Sequence, residues 1–423
     1  MSAAVASTAL LSLEEARAQM LDGLEPLPAE EVDLNDADGR VVAESITSRL
    51  TLPPWDNSAM DGFAVRATDV STASPDAPVT LPVVGEAAAG RVATAAVQPG
   101  TTMRILTGAP LPAGADAVVR VEDTNAVMGA SELPAEVAIR QSVDPGAHIR
   151  RQGGDLREGQ PLLETGTQLT ATALALAAAA GYGRLRVHRR PRLAVLATGD
   201  ELVPPGVVLG PGQIPDSNSV GLAALARATG AETRSLGISR DTLDDVLGQL
   251  RDGLAWADVI VASGGVSVGA HDVVKDAFAA IGRVELWRVA VQPGKPLAFG
   301  RASATGRDGD VLLFGLPGNP VSSQVTFELF VRPVLRRLSG HQDLFGRQVV
   351  RARLDRAVSK SPGRRAFLRV RLAEEAGGWR ASLAGGQESH MLSALAAADG
   401  LAIVPEEHDS LPAGADVDVI RIR

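Results

Sequence analysis

The chain has 423 residues, with 41 Lys and Arg against 50 Asp and Glu, a formal net charge of −9, 45% hydrophobic residues and no cysteine. The length predicts roughly two to four domains, because single hydrophobic cores stop growing near ~250–300 residues. The apolar fraction excludes wholesale disorder, and the lack of cysteine excludes disulfides, thiolate metal sites and cysteine nucleophiles. The negative charge argues against nucleic acid or an anionic membrane as a partner.

The sequence shows no targeting signal and no membrane span. Met1–Ala9 lacks the cationic start of a signal peptide, and Glu14 and Glu15 follow soon after. The longest apolar stretch, Leu169–Ala180, is shorter than the ~20 residues that cross a bilayer, and it predicts a buried helix. We therefore expect a soluble, cytoplasmic protein.

The N-terminal third combines two helices with a region of short strands. Ser12–Glu15 matches a capping box, and one helical stripe follows at Leu13, Ala16, Met20, Leu21 and Leu24. Between residues 51 and 145, short β-like runs alternate with Pro and Gly, which predicts an inserted all-β module; these runs are Val79–Val84, Ala117–Val121 and Glu136–Ile139. Thr170–Gly181 predicts a second helix that ends at glycine.

From residue 184 onward, strands alternate with helices. Asp216, Ser217 and Asn218 are predicted to cap a helix that reaches Gly230, and Asp241 is predicted to cap the next one, which reaches Trp256. A long helix is predicted from Pro320 to about Leu338. The predicted strands of this region are Arg192–Ala197, Thr233–Ile238, Val259–Ala262, Glu285–Val291 and Val311–Phe314, with a further helix at Val273–Ile281. This alternation predicts a parallel, doubly wound sheet covered on both faces.

Beyond Gly340 the strand-like runs Val349–Leu354, Ala366–Leu372 and Leu401–Pro405 predict a small β domain. The predicted fold is thus multidomain α/β plus β, with a central, mostly parallel sheet. We expect a helical linking domain at 10–50 and 146–183, an inserted β-rich domain at 51–145, an α/β domain at 184–338 and a C-terminal β domain at 339–423.

Charge is unevenly distributed, since Arg332–Arg371 contains twelve cations and two acids. A solvated basic face on a small terminal domain is the favoured interpretation. The alternative is a surface that faces an anionic ligand or an acidic neighbouring domain.

Ligands of open α/β sheets bind beyond the carboxyl ends of the strands, a rule that selects four loops here. The first, Thr198–Glu201, carries Asp200 and Glu201, which could hold Mg²⁺ or simply cap a turn. The second, Ser263–Gly269, combines three glycines with two serines, so its backbone N–H groups can approach an anion closely, as in phosphate sites. Asp272, just after it, fits a helix cap, a metal ligand, or both.

The other two loops are rich in proline. In Gln292–Pro296, two prolines restrict the backbone and so hold Lys295, one of three lysines in the chain, in a fixed position. An ordinary surface turn is an equal alternative. In Pro317–Ser323, Asn319 fits an N-cap and Pro320 the first helical position, which leaves N–H groups free for an oxyanion. Because four such loops share one sheet edge, a polyanion pocket with metal-binding carboxylates is the better hypothesis.

Three polar stretches outside this region stay undecided by composition: Asp56–Phe63, Arg104–Ala109 and Arg150–Asp155 fit either exposed turns or ligand contacts. The six histidines show no metal-ligand spacing, and no nucleophile-elbow motif is present.

Six of these motifs occur in the order found in the MoeA family, which the chain therefore resembles. They are Asp56–Val65 (DNSAMDGFAV), Arg104–Pro110 (RILTGAP), Thr198–Glu201 (TGDE), Ser263–Gly269 (SGGVSVG), Pro293–Pro296 (PGKP) and Pro317–Ser322 (PGNPVS). The family comprises the molybdopterin molybdenumtransferases of molybdenum-cofactor biosynthesis and is related to the E domain of gephyrin. The resemblance covers essentially residues 10–423.

The resemblance implies an elongated four-part subunit, a homodimer and a middle domain with the MogA/MoaB-like molybdopterin-binding fold. It implies insertion of molybdenum from molybdate into adenylated molybdopterin, with release of AMP and assistance from Mg²⁺. It admits a MogA-type adenylyltransferase or molybdoenzyme maturation proteins as partners, while the net charge argues against a nucleic-acid or membrane partner. A MogA-like adenylyltransferase and a gephyrin-like scaffold are the alternative functions.

The resemblance also implies roles for individual positions. Catalytic roles fall on Asp61, Thr107, Asp155, Glu201, Asp241 and Asp272, with Asp61 acting in the partner's cleft. Metal or water ligation falls on Asp200, Glu201, Asp241 and Asp272. Contacts to the pterin phosphates and molybdate fall on Ser263, Gly264, Gly265, Ser267, Lys295, Pro317, Gly318, Asn319, Pro320, Ser322, Arg364 and Ser389.

Two positions depart from the family pattern. Gln292 stands where many members have lysine, which removes a cation beside the expected oxyanion site, and Phe63 replaces a frequent tyrosine, which removes a hydroxyl.

Overall fold

The computed structural model describes residues 10–127, 129, 132–265, 273–304 and 309–423, the side chains of residues 286 and 287 excepted. The largest sheet in this part of the chain has seven strands, and six of them run in one direction. Across the sheet the strands are Leu10–Leu11, Arg283–Val289, Pro296–Ser303, Asp310–Leu316, Val259–Ser263, Arg192–Thr198 and Glu232–Ser239. The prediction of a mostly parallel sheet is confirmed.

Pro296–Ser303 is the strand that runs against the others, and the sequence analysis did not predict it. It forms antiparallel pairs with Arg283–Val289 on one side and Asp310–Leu316 on the other. It begins at the last proline of the PGKP motif, so the turn signal obscured the apolar run that follows. The strand predicted at Glu285–Val291 divides in two: Arg283–Val289 stays in this sheet, while Val291–Gln292 pairs with the C-terminal β region.

Helices cover both faces of the sheet, as a doubly wound fold requires. One face packs against Asn218–Ala228 and against Pro320–Thr326, which continues through the π-helix Phe327–Val331 into Arg332–Leu338. The other face packs against Leu243–Leu254 and Val273–Ile281. Other helices are Leu13–Leu21, Ala171–Ala179 and Leu392–Ala396, with 3₁₀ turns at Leu34–Asp36, Ala67–Val70 and Val121–Asp123.

The first helix packs on the α/β sheet. Ser12 and Glu15 form the predicted capping box, and Leu13, Ala16 and Met20 are buried in the same hydrophobic cluster as the sheet. Residues 10–11 pair with the strand Arg283–Val289. By packing, residues 10–21 therefore lie with the α/β core, although they were predicted in the linking domain.

Two β regions flank this core. A five-stranded sheet lies within residues 51–145, in the order Ala117–Arg120, Gly62–Val65, Thr102–Ile105, Val79–Ala87 and Glu136–Ile139. A barrel-like six-stranded sheet contains Val291–Gln292, Arg365–Glu375, Gly378–Leu383, Val349–Leu354, Asp416–Arg421 and Gly400–Val404, and its strands 365–375 and 400–404 also pair with each other. Two-stranded pairs complete the fold: Ala29–Asp33 with Arg184–His188, Ile46–Thr47 with Pro161–Leu163, Asn57–Ser58 with Ile149–Arg150, Leu202–Val203 with Ile214–Pro215, and Val358–Ser359 with Ser410–Leu411.

The structure corrects one expectation about burial and limits another. Ala177 is the buried residue of the helix Ala171–Ala179, which otherwise lies at or near the surface, because small alanine side chains let it pack along a narrow stripe. The predicted solvated basic face holds only in part: Arg351, Arg353, Arg356 and Arg371 are exposed, whereas Arg332, Arg336 and Arg369 are buried. The three buried arginines donate hydrogen bonds to backbone carbonyl groups of a neighbouring loop, which replace part of their hydration, although Arg369 Nε has no partner among the described residues.

In the described part of the chain, none of the helices combines the length and apolarity needed to cross a bilayer.

Candidate functional site

A cleft of ≈ 670 Å³ lies at the edge of the seven-stranded sheet where the parallel strands end. Strands ending at Thr198, Ser263 and Leu316 bring three of the four predicted loops to this edge, and Pro296 starts the antiparallel strand from the same edge. The described lining is Thr198, Gly199, Glu201, Leu202, Ile214, Pro215, Asp216, Ser217, Asn218, Asp241, Ser263, Gly264, Gly265, Pro296, Pro317, Gly318, Asn319, Pro320 and His390. Segments far apart in sequence thus surround one cavity.

Glycine is required where the loops after Thr198 and Ser263 touch. Gly264 has φ +101°, and a Cβ there would lie 2.4 Å from the Thr198 carbonyl oxygen. At Gly265, with φ +62°, a Cβ would lie 2.7 Å from a methyl group of Val274. The backbone of this loop is therefore held against the neighbouring strand and left bare toward the cleft, as an anion cradle needs.

Asn218 joins two of the loops across the floor of the cleft. Its Nδ2 donates to Ser263 Oγ at 2.8 Å and to the Gly318 carbonyl oxygen at 2.7 Å. Its Oδ1 and the hydroxyl of Thr198 are buried and have no hydrogen-bond partner among the described residues. Because buried polar groups are normally paired, these two atoms are open for a ligand or a water molecule.

The carboxylates of Glu201 and Asp241 line one end of the cleft, and Asp200 lies next to Asp241 just outside this lining. Asp241 was predicted to cap the following helix, but the cap is Thr242, whose side chain accepts from the Asp245 N–H. This leaves the Asp241 carboxylate beside Asp200, whose Oδ1 accepts from the Asp241 N–H at 3.3 Å. Partial desolvation, together with the negative charges of Asp200 and Glu201, raises the pKa of Asp241.

The same three acids are the described part of the predicted metal set. None of them forms an ion pair with a described residue, so their charge is available to a cation. Among residues 10–127, 129, 132–265, 273–304 and 309–423, however, no three His, Asp or Glu side chains lie close enough together to hold a metal ion. The predicted fourth ligand, Asp272, lies outside the described residues, as does Ser267 of the phosphate loop.

The opposite end of the cleft carries hydroxyl and amide groups. Asn319 is the N-cap and Pro320 the first residue of the helix Pro320–Thr326, which confirms that local prediction. Asn319 Nδ2 donates to Ser389 Oγ at 2.9 Å, and the Val321 N–H donates to the Ser389 carbonyl at 3.1 Å. Ser389, on the C-terminal β region, therefore lies directly beside the Pro317–Pro320 loop.

Lys295 and its neighbours link this end to the C-terminal sheet. Lys295 is half-buried, and its ammonium has no hydrogen bond or ion pair with any described residue. Gln292 Oε1 accepts from the Ser361 N–H at 3.1 Å, so the amide that replaces the usual lysine ties down the loop that carries half-buried Arg364. Ser322 is buried one turn into the helix that starts at Pro320.

Asp61, Thr107 and Asp155 are absent from the described lining of the cleft. Asp61 instead lines a separate cavity of ≈ 660 Å³ in the five-stranded sheet region, together with Glu86 and Arg104. Its Oδ1 accepts from the Thr107 N–H at 2.6 Å, and this hydrogen bond holds the pKa of Asp61 below its usual value. Asp155 lies in the linking region, and its N–H donates to the Leu52 carbonyl at 3.0 Å.

Among the cleft residues that the sequence analysis did not predict are Asn218 and His390. Asn218 was interpreted only as a helix cap, although a helix that starts at the carboxyl edge of a sheet points its first side chains toward the ligand. His390 lies in an irregular loop whose position depends on the packing of the C-terminal region. The sequence pointed to this loop only through its neighbour Ser389, which was a predicted ligand contact.

Family models match three consecutive parts of the chain. They are the MoeA N-terminal region (domain I and II) at residues 11–181, a probable molybdopterin binding domain at 194–337 and the MoeA C-terminal region (domain IV) at 351–422.

Curated relatives match nearly the whole chain. Molybdopterin molybdenumtransferase 2 of Mycobacterium tuberculosis is 42% identical over 95% of this chain and 96% of its own length. The molybdopterin molybdenumtransferase of Haemophilus influenzae is 34% identical over 97% and 98%. A solved MoeA protein of Pyrococcus horikoshii has a TM-score of 0.79 and 33% identity, and the match covers 98% of this chain and 100% of that one. The chain therefore belongs to the MoeA family of molybdopterin molybdenumtransferases.

Proposed function

We propose that this transferase inserts molybdenum from molybdate into adenylated molybdopterin and releases AMP, with Mg²⁺ assisting. The observation that carries the proposal is the single cleft at the strand ends, where the bare Gly264–Gly265 backbone faces carboxylates at one end and hydroxyl groups at the other. A substrate with a pyrophosphate needs backbone N–H groups close to its oxygens. Molybdate, an oxyanion, suits the Lys295, Ser322 and Ser389 end.

The reaction has two balanced parts. Water adds to a phosphorus atom of the pyrophosphate, the phosphoanhydride bond breaks, and AMP leaves with the bridging oxygen or the water oxygen. When the two thiol groups replace one oxo group of molybdate, that oxygen leaves as water with the two thiol protons. The cleft residues bind and orient both substrates, and burial of the polar floor strengthens their electrostatic contacts.

Magnesium fits the acidic end in chemistry, because Asp200, Glu201 and Asp241 offer the hard oxygen ligands that it prefers. With Asp272 they would hold the ion, which supplies charge neutralisation at the pyrophosphate when bound. The raised pKa of Asp241 is compatible with this assignment, since a nearby cation would offset the desolvation and the repulsion from Asp200 and Glu201 that raise it.

A homodimer with a shared active site completes the proposal. Asp61 lines a cavity of its own and is hydrogen-bonded by the Thr107 N–H, so a role for either residue in the chemistry calls for a second subunit that brings them to the cleft. We propose that Asp61 acts in this way, that a MogA-type adenylyltransferase supplies the adenylated substrate, and that the protein is cytoplasmic.

The decisive assay incubates the purified protein with adenylated molybdopterin, molybdate and Mg²⁺ and measures AMP and active cofactor together. We expect both products, and AMP without active cofactor would contradict insertion. Formation of the adenylate from ATP and molybdopterin alone would favour the adenylyltransferase alternative. Tail-peptide binding that survives in variants of the cleft, without any turnover, would favour the scaffold.

Asp272→Ala should abolish insertion and leave the dimer folded, and unchanged insertion would refute its role. Mixing Asp61→Ala with Asp272→Ala subunits should restore roughly a quarter of wild-type activity, because half of randomly mixed dimers are heterodimers with one of two sites intact. No recovery on mixing, with heterodimers present, would contradict action in the partner's cleft.

A further inference from the structure

A small cavity lies between the linking domain and the α/β domain, separate from the cleft. Its volume is ≈ 20 Å³, and it shares no described lining residue with the cleft. The stretches of chain that surround it are far apart in sequence; they are residues 39–41, 188–190, 229–230, 339 and 341. A space of this volume holds one water molecule or one ion of similar size.

The described lining of this cavity is rich in cationic groups and contains no carboxylate. Its charged and imidazole side chains are Arg40, His188, Arg189, Arg190 and His341. Arg40 pairs with Glu30, and Arg189 pairs with Asp258. Arg190 is half-buried, and its guanidinium forms no ion pair or hydrogen bond with a described residue. Positive charge therefore exceeds negative charge around the cavity.

Arg40 is buried while much of its hydrogen-bonding capacity is unused. Its side chain is 8% exposed, and its Nη2 donates to Glu30 Oε1 and, at 2.8 Å, to the His188 carbonyl. A guanidinium offers five N–H groups, but Arg40 Nε and Nη1 donate to no described residue. Because buried N–H groups are normally paired, these groups call for an acceptor in the cavity.

His341 is a second buried group without a partner. It is 6% exposed, it lines the cavity, and its ring nitrogens form no hydrogen bond with a described residue. Burial, together with the charges of Arg336 and Arg332, lowers the pKa of His341 to about 4, so the ring is neutral at pH 7 and offers one N–H. Arg332 also donates from Nη1 to the Thr229 hydroxyl in the cavity wall, at 3.1 Å. The electrostatic potential at this point is therefore positive, which favours an anion.

We propose that this cavity binds one small monovalent anion of the size of chloride, held by Arg40, Arg190 and His341. The volume suits a monatomic ion and leaves water as the competing occupant. The unused guanidinium N–H groups favour the anion, because a hydrogen bond between two charged partners is stronger than one to water. Arg40 belongs to the linking domain and His341 follows the last helix of the α/β domain, so the anion would hold the two domains together. This site goes beyond the proposed function.

A crystallographic test locates the ion. Crystals of the full-length protein grown with gluconate, an anion too large for the cavity, are soaked in bromide, whose anomalous scattering marks halide positions. We expect an anomalous peak in the cavity, in contact with Arg190 and His341. A cavity that holds water and no bromide overturns the assignment.

A solution test compares chloride with gluconate at the same ionic strength. Chloride that binds only the folded protein raises the midpoint of urea unfolding, and broadening of the chloride NMR signal measures the binding directly. Arg190→Gln should weaken chloride binding about tenfold or more, because it removes the cation that lacks a carboxylate. Arg190→Lys, which keeps the charge, should retain most of the affinity.

Arg184→Gln is the matched control. Arg184 is exposed on the strand Arg184–His188 and absent from the described lining, so this variant should bind chloride like the wild type. Arg190→Gln should fold, since it leaves no carboxylate of the described residues without its partner. If chloride and gluconate give the wild type the same unfolding midpoint, or if Arg190→Gln and Arg184→Gln bind chloride equally, the anion site is refuted.

Discussion

Gly264 is the point at which two loops of the cleft touch, so a single methyl group there tests the geometry of the site. In Gly264→Ala the new Cβ would lie 2.4 Å from the Thr198 carbonyl oxygen and 2.9 Å from its Oγ1, at a φ of +101°. The unfavourable backbone conformation costs ~1–2 kcal/mol. Relief of the collision, which requires movement of backbone, adds ~1–3 kcal/mol. We expect a total loss of ~2–5 kcal/mol, or a displaced loop with weakened anion binding.

Gly230 supplies the matched control. It also has a positive φ, +93°, but a Cβ there would have no neighbour within 4 Å, so Gly230→Ala should lose only the ~1–2 kcal/mol of the backbone term. Denaturant unfolding, followed by tryptophan fluorescence, compares the stability of the two variants. Calorimetry measures how tightly each variant binds pyrophosphate, the proposed ligand of the glycine loop. If Gly264→Ala loses no more stability than Gly230→Ala and binds pyrophosphate normally, the close approach of the two loops is refuted.

Three further predictions concern charge. Asp258 and Arg189 form a largely buried ion pair with two hydrogen bonds of 2.9 and 3.0 Å. Asp258→Ala should therefore lower the unfolding free energy, measured by urea denaturation, by ~2–4 kcal/mol. A loss below ~1 kcal/mol would contradict this. Burial and nearby arginines lower the pKa of His341 to about 4. In the unfolded chain the His341 imidazole takes up a proton near pH 6.5, so the unfolding free energy should fall by ~2 kcal/mol from pH 7 to pH 5. If His341→Gln leaves the dependence of the unfolding free energy on pH unchanged, His341 is not its source. Asp200→Asn should lower the raised pKa of Asp241 in a carboxyl ¹³C NMR titration, and an unaltered pKa would count against repulsion between them.

Local signals in the sequence predicted the elements that frame the site. The capping box depends on Ser12 and Glu15, three positions apart, and the helix start at Asn319 and Pro320 depends on adjacent residues; both predictions are confirmed. The alternation of strands and helices from residue 184 predicted the doubly wound sheet, because each pattern reflects one face of an element packed on its neighbours. The strand Pro296–Ser303 escaped notice since a turn motif and a strand share the same short segment.

The amino-acid sequence alone determined the family, the fold class and the four loops of the cleft, because those signals are local patterns or ordered motifs. Tertiary structure decided how the loops meet: the bond from Asn218 to Ser263 and Gly318 spans 45 and 100 residues, and no periodicity encodes it. It also placed Ser389 beside Asn319, put Asp61 at a different cavity and opened the space beside Val220 and Ala223. Such contacts follow from the order of strands in the sheet and the packing of whole elements, which the spacing of residues along the chain does not specify.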